Sequence, residues 1–231
     1  MDFYYLILVV PTLLLSLWAQ FMVKSTFNKF SKVPCSRRIT GTDAANLLLR
    51  SSNIKDVHVE AVSGSLTDHY SPGDKKLRLS EPVYGSTSIA AVGVAAHEAG
   101  HAIQHATRWG PLVMRSTLVP VANLGSKLGP IIAIAGLGIS GTSFGAFSQI
   151  IFNIGLILFS GAVLFYVITL PVEFNASSRA IAVLRSNNVL DESELKNVKK
   201  VLTAAALTYV ASALTAIASL LRLILIARNR R

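Results

Sequence analysis

One cysteine, Cys35, stands among 231 residues. That scarcity excludes an internal disulfide and any zinc site built from several thiolates. Cys35 has Arg37 and Arg38 close by and reads as an incidental thiol. Charge is scarce as well. Asp, Glu, Lys and Arg make up 15% of the chain, where a soluble domain carries roughly a quarter. Hydrophobic residues reach 52% and the mean hydropathy is +0.51, which points to a membrane protein. Acids are scarcer than bases, 12 against 22, for a net charge of +10. A basic surplus raises nucleic acid as a partner. Yet no basic motif interleaved with aromatics is present, and many of the bases gather beside apolar stretches, in residues 24–38 and 179–200. That is how juxtamembrane charge falls, so no nucleic-acid partner is expected. Internal repeats and low-complexity segments are absent too.

What the chain does have is long apolar runs. Residues 3–23 supply the ~20 residues of a bilayer crossing. No small-residue cleavage pattern follows them, so segment 1–23 is expected to stay as a transmembrane helix rather than leave as a signal peptide. Asp2 precedes it, while Lys24, Lys29, Lys32, Arg37 and Arg38 follow. The positive-inside rule then puts the N-terminus outside and segment 24–115 in the cytoplasm.

Within that segment, Thr42-Asp43 is expected to cap a short amphipathic helix through Arg50, with Leu47, Leu48 and Leu49 inward. Alternation over 57–62, 66–70 and 76–80, broken at Ser63-Gly64-Ser65 and Ser71-Pro72-Gly73-Asp74, reads as a small antiparallel sheet. Residues 86–105 read as a helix that stops near Gly110-Pro111.

Segment 116–171 is almost free of charge and reads as a transmembrane hairpin. Residues 148–170 make a good span. Before them comes either one helix over about 117–140, with Lys127 facing protein or snorkelling, or an interfacial helix and a short span. The uncharged turn Ser140-Gly141-Thr142-Ser143 suits the outer face. Pro171 is expected to end the span and return the chain to the cytoplasm for the polar segment 172–200. Asp191 and Glu194 have capping-box spacing before a last helix, which carries segment 201–231 through the membrane to a basic tail. Arg228, Arg230 and Arg231 in that tail run against the positive-inside rule. The expected fold is a mainly α membrane protein (α+β), with about four transmembrane helices and a small antiparallel sheet.

The helix over 86–105 carries the stretch Val94-Ala95-Ala96-His97-Glu98-Ala99-Gly100-His101-Ala102-Ile103-Gln104-His105. It sets ionisable groups where a packed helix carries alanine or leucine, at a cost of several kcal/mol unless they are paired or bind a metal. His97-Glu98-Ala99-Gly100-His101 fits H-E-x-x-H. Positions i and i+4 share a helix face one turn apart, so His97 and His101 can converge on one Zn²⁺, with Glu98 placed as a base for metal-bound water, and the expected fold includes one zincin-like catalytic helix. His105 continues the row but lies about 12 Å along the axis from His97. It therefore reads as a groove or structural residue rather than a third ligand. Gln104 and Thr107 do not supply the metzincin extension, so the third ligand must come from elsewhere.

After residue 116 the acids are Glu173, Asp191, Glu192 and Glu194. The last three cluster at a helix start and look solvated, whereas Glu173 sits in an apolar setting right after a span. It is a candidate ligand. A structural salt bridge, for instance to Arg179, is the alternative.

The whole chain resembles the membrane-bound neutral zinc metallopeptidases of bacteria. The likeness is carried by Leu17-Trp18-Ala19-Gln20, Thr67-Asp68-His69-Tyr70, Leu77-Arg78-Leu79-Ser80, His97 to His101, and Leu170 to Ala176. It is more distantly similar to membrane gluzincins of the heat-shock protease and CAAX-protease type. Those follow H-E-x-x-H with a transmembrane hairpin and E-[FY]-x-A-D-x-x-A. Here Glu173-Phe174-Asn175-Ala176-Ser177-Ser178-Arg179-Ala180 matches, except that Ser177 replaces the aspartate. The resemblance implies that Glu173 is the third zinc ligand, that Ser177 stands behind a ligand as the aspartate would, and that the catalytic face is cytoplasmic. Ligand and H-E-x-x-H helix meet only if the intervening segment crosses the bilayer an even number of times, as a hairpin does.

The expected activity is zinc-dependent endopeptidase hydrolysis with Glu98 as general base, in a multi-pass protein of the bacterial inner membrane. The cofactor is Zn²⁺, and the partners are a protein or peptide substrate and the lipid bilayer. An extended substrate is expected to add along 76–80 as a strand. Arg179, His105, His69 and Tyr209 are candidates for stabilising the oxyanion. The rival reading is a zinc-binding membrane protein without proteolytic activity, which has no use for Glu98. A transporter ranks last, because the informative ionisable residues lie outside the spans.

Overall fold

The computed structural model describes residues 2–139 and 145–229. The expected 140–143 turn and the last two arginines lie outside the described residues. Elements run α1 (Val10–Phe30, entered through a π-helical turn Tyr5–Val9), α2 (Gly41–Ser51), β1 (His58–Val62), β2 (His69–Ser71), β3 (Lys76–Ser80), α3 (Glu81–Tyr84), α4 (Ile89–Ala106), α5 (Gly110–Gly138), α6 (Gly145–Ser186) and α7 (Glu192–Asn229). Among the described residues, the helix containing α1, together with α5, α6 and α7, makes four helices long and apolar enough to cross a membrane.

The chain divides into two compact units. One comprises Ala19–Leu112 and Pro171–Leu207; the other comprises Met1–Trp18, Val113–Leu170 and Thr208–Arg231.

The first unit holds the sheet and α4. Its core joins Leu48, Leu77, Leu79, Val83 and the alanine face of α4 to Leu184, Val198 and Leu202. The sheet corrects the sequence reading: it is mixed, not antiparallel, with order β1-β3-β2. β3 pairs parallel with β1 and antiparallel with β2. The β2–β3 turn makes a hairpin, but residues 63–68 do not. Asp68 accepts hydrogen bonds from the Ser80 N–H and Oγ–H, each at 2.8 Å, and this anchors the link at the end of β3. β3 enters between its neighbours because it carries the buried residues, Leu77 and Leu79 at 0% exposure. It is therefore a central strand with both edges paired, and the expected strand addition along 76–80 has no free edge there. β2 is also shorter than expected.

Local chemistry moves several boundaries. Thr40, not Thr42, caps α2, in a capping box with Asp43. α4 starts after Ser88, whose Oγ accepts from the Ala91 N–H, and it ends at Ala106. Gly110-Pro111 opens α5 instead of stopping α4, in keeping with the tolerance of proline in a first helical turn. Pro171 does not end α6, which runs on to Ser186 with the proline inside it. The capping box before α7 forms as read: Glu194 N–H donates to Asp191 Oδ1 at 2.8 Å, and Asp191 N–H to Glu194 Oε2 at 3.0 Å.

In the second unit α5 is one long helix, and Lys127 is exposed on it rather than turned to protein. α5 packs antiparallel on α6 through small residues. A Cβ at Gly129 would come 2.7 Å from the Phe159 Cβ, one at Gly136 would come 2.5 Å from the Phe152 N, and one at Gly125 would strike the Leu158 carbonyl. Only glycine lets these backbones approach so closely. At the chain ends, Arg222 on α7 donates to Asp2 at 2.6 Å and 3.0 Å, and Asn229 donates to the Tyr4 hydroxyl at 2.7 Å. The start of the chain and the last turns of α7 thus lie together. The hydrogen bonds from the Arg222 guanidinium, working against desolvation, hold the Asp2 carboxyl down at about 2.

Candidate metal centre

α4 is held by its cap and by a face of small side chains: Ala91, Ala95, Ala96 and Ala99 are all at 0% exposure. That face admits close neighbours and turns His97, His101 and His105, four residues apart, to a partly open side. The His97 and His101 rings meet edge to face with centroids 4.7 Å apart. Glu98, on the adjacent angle, is nearly buried.

The third group comes from α6. Glu173, 2% exposed, brings Oε2 to 3.2 Å from His97 Nε2 and 3.5 Å from His101 Nε2. One donor atom from each of the three lies within 4.8 Å of the others. Ligands at zinc's usual ~2.05 Å in a tetrahedron stand about 3.3 Å apart, so both measured separations suit a shared ion. The donor set, two imidazoles and a carboxylate, is one that zinc takes. A buried carboxylate is costly unless compensated, and here two rings face it. Burial disfavours the charged form of His101, but hydrogen bonding to Glu173 and the field of Glu98 outweigh it and raise its pKa.

The approach of α6 depends on Gly100. A Cβ there would lie 2.5 Å from the Ala176 carbonyl oxygen and 3.1 Å from its carbon. Sequence reasoning passed over this glycine, although a small residue inside H-E-x-x-H is a visible sign of close packing. It also passed over Gln104, three residues beyond His101 and so on its face. Gln104 is fully buried; its Oε1 lies 3.0 Å from His101 Nδ1, and its Nε2–H groups donate to the Val172 carbonyl at 2.8 Å and to Asn175 Oδ1 at 3.0 Å.

The remaining expected residues fall as follows. Ser177 Oγ lies 3.1 Å from His97 Nδ1, behind that ring. Arg179 donates its Nε–H to Asn175 Oδ1 at 2.7 Å. His105 is outside the three-donor cluster; its Nδ1 lies 2.8 Å from the Tyr70 hydroxyl, where burial and then the Asp56 charge push the phenol up to about 12. His69 is exposed on β2 with Nδ1 2.8 Å from the Thr67 carbonyl. Tyr209 belongs to the other compact unit.

The sequence matches the family described as "Putative neutral zinc metallopeptidase" over residues 5–228. It is 46% identical over 227 residues to the "Putative membrane protease YugP" of Bacillus subtilis (strain 168), covering 98% of each chain. No solved structure matches it.

Proposed function

The chain belongs to the neutral zinc metallopeptidase family that it matches nearly end to end, and on that premise we propose that it is a membrane-embedded zinc metalloendopeptidase. The observation that carries the reading is the single Glu173 oxygen within 3.5 Å of both imidazoles of the H-E-x-x-H helix. His97, His101 and Glu173 would hold Zn²⁺. When bound, the ion lowers the pKa of a coordinated water to about 7 and polarises the scissile carbonyl. Glu98 takes the proton of the attacking water and returns it to the departing amine nitrogen. An extended peptide would align as an added strand on the outer edge of β2. That edge is supported because β2 ends the sheet and its Tyr70 contacts His105 on α4.

The proposed setting is the bacterial inner membrane with the active site at the cytoplasmic face. Lys24, Lys29 and Lys32 after the first span support that orientation. The antiparallel α5–α6 packing fits a two-crossing hairpin that would bring Glu173 back to the side of His97 and His101, whichever face that is. On that orientation, the contacts of Asp2 and Tyr4 with α7 would put the end of α7 outside with the N-terminus, with Arg228 an exception to the charge rule.

The test is turnover of a general unfolded-protein substrate by the full chain purified in detergent micelles. Glu98→Gln is expected to lower turnover by about 10²-fold or more, and equal turnover by both proteins would overturn the assignment. Metal analysis is expected to find one zinc per chain, lost in Glu173→Ala. Zinc without turnover would favour the non-proteolytic reading.

A further inference from the structure

His97 and His101 are backed differently. Behind His97 stands the Ser177 hydroxyl, which can donate or accept and so leaves the ring free to carry its hydrogen on either nitrogen. Behind His101 stands an amide whose two ends are not interchangeable. The Val172 carbonyl, 2.8 Å from Gln104, can only accept. Arg179 Nε–H, 2.7 Å from Asn175, can only donate, so the Asn175 atom it meets is the oxygen. That same oxygen receives Gln104 at 3.0 Å. The NH₂ of Gln104 is thereby committed to two acceptors, and its oxygen is left for His101 Nδ1 at 3.0 Å. An oxygen there requires hydrogen on Nδ1, which leaves the Nε2 lone pair toward Glu173.

We propose that Gln104 is a positioning residue: the donor chain Arg179 → Asn175 ← Gln104 ← His101 fixes His101 in its Nδ1–H tautomer and presents Nε2 as a ready metal ligand. The proposal rests on the zinc-site reading above. The amide does more than orient the ring. Val172 and Asn175 flank Glu173 on α6, so one buried side chain locks the carboxylate-bearing turn to the helix bearing both histidines. With Gln104 at 0% exposure, water has no access to satisfy a reversed amide, and the polarity set by Arg179 and the Val172 carbonyl is the one that pairs both ends of the amide.

The test uses the full chain in detergent micelles, with ¹⁵N-labelled histidine. NMR of the zinc-free wild type is expected to show His101 protonated on Nδ1 and not on Nε2 in its neutral form, with the signals assigned by their loss in His101→Gln. Zinc affinity is then measured by competition with a chromophoric chelator. Gln104→Met, similar in volume but unable to accept, is expected to bind zinc about 10–100-fold more weakly. Hydrogen on Nε2 in the wild type, or wild-type affinity in Gln104→Met, overturns the positioning role and leaves the metal site standing. A wild type that binds no zinc overturns both. If Gln104→Met does not fold, the wild-type tautomer decides.

Discussion

Gly100→Ala adds one methyl group at a close approach of the two helices that bear the proposed ligands. Its Cβ would meet the Ala176 oxygen at 2.5 Å, where ordinary contact needs 3.4 Å or more. The helices must therefore separate locally by about 0.9 Å, and the obstacle is backbone, which cannot rotate away. Overpacking of this kind costs about 1–3 kcal/mol, while alanine in place of a helical glycine returns about 1 kcal/mol. The net loss of stability is expected to be small, ~0–2 kcal/mol. The site feels the change more strongly. Ala176 lies one turn from Glu173, and metal ligands tolerate displacements of only about 0.2 Å. Zinc affinity is expected to fall at least about tenfold, and turnover about 10²-fold. Chelator competition and thermal unfolding of the zinc-free protein measure the two effects separately. Gly93→Ala serves as the control. Its Cβ would meet Val198 Cγ1 at 3.0 Å, the end of a side chain that can move, so zinc binding should be kept. A Gly100→Ala protein that binds zinc within threefold of wild type would refute the claim that backbone proximity here sets the ligand geometry.

Two further perturbations probe the other compact unit. Gly155→Leu drives a side chain into the Ala133 backbone and is expected to lower unfolding stability in micelles by ~3 kcal/mol or more, beyond ordinary overpacking because the neighbour is backbone; denaturant titration reads it. The Asp2–Arg222 pair makes the fold pH-sensitive. Because the folded Asp2 titrates at about 2 and the free residue at 3.8, its contribution is complete above pH ~4 and is lost as pH falls towards ~2. Thermal midpoints across that window should drop more in wild type than in Asp2→Asn.

The elements whose signals are local could be read from the sequence. Four apolar runs announced four long helices, and the i, i+4 histidines announced a shared face. The Asp191–Glu194 spacing announced a cap. Sheet order was not readable, because alternation reports which strands exist and not which neighbour each finds. The pinning of Asp68 to Ser80 decides that, and it joins residues 12 apart. Pro171 stands where the chain passes from one compact unit to the other, yet it does not break the helix. Proline removes one hydrogen bond, but α6 continues because Val172, Ala176 and Ala180 on its far side are buried at 0%, and tertiary packing outweighs local propensity.

The candidate site divides along the same line. His97 and His101 could be found from spacing alone, since a helix fixes their geometry. Glu173 could be guessed from the cost of a charge in an apolar setting, and by resemblance. Gln104 could not, because a glutamine on an alanine-rich helix carries no sign of what its two ends will meet. Its partners stand 68 and 71 residues away. Yet the same approach that hides this residue from sequence reasoning makes it necessary. Bringing α6 within contact of Gly100 buries the Glu173 carboxylate and the backs of the histidine rings together. Every polar atom so buried must then find a partner inside the protein. Small residues at the crossing and a polar amide behind His101 are therefore one requirement seen twice: glycine lets the carboxylate arrive, and the glutamine amide satisfies groups buried with it.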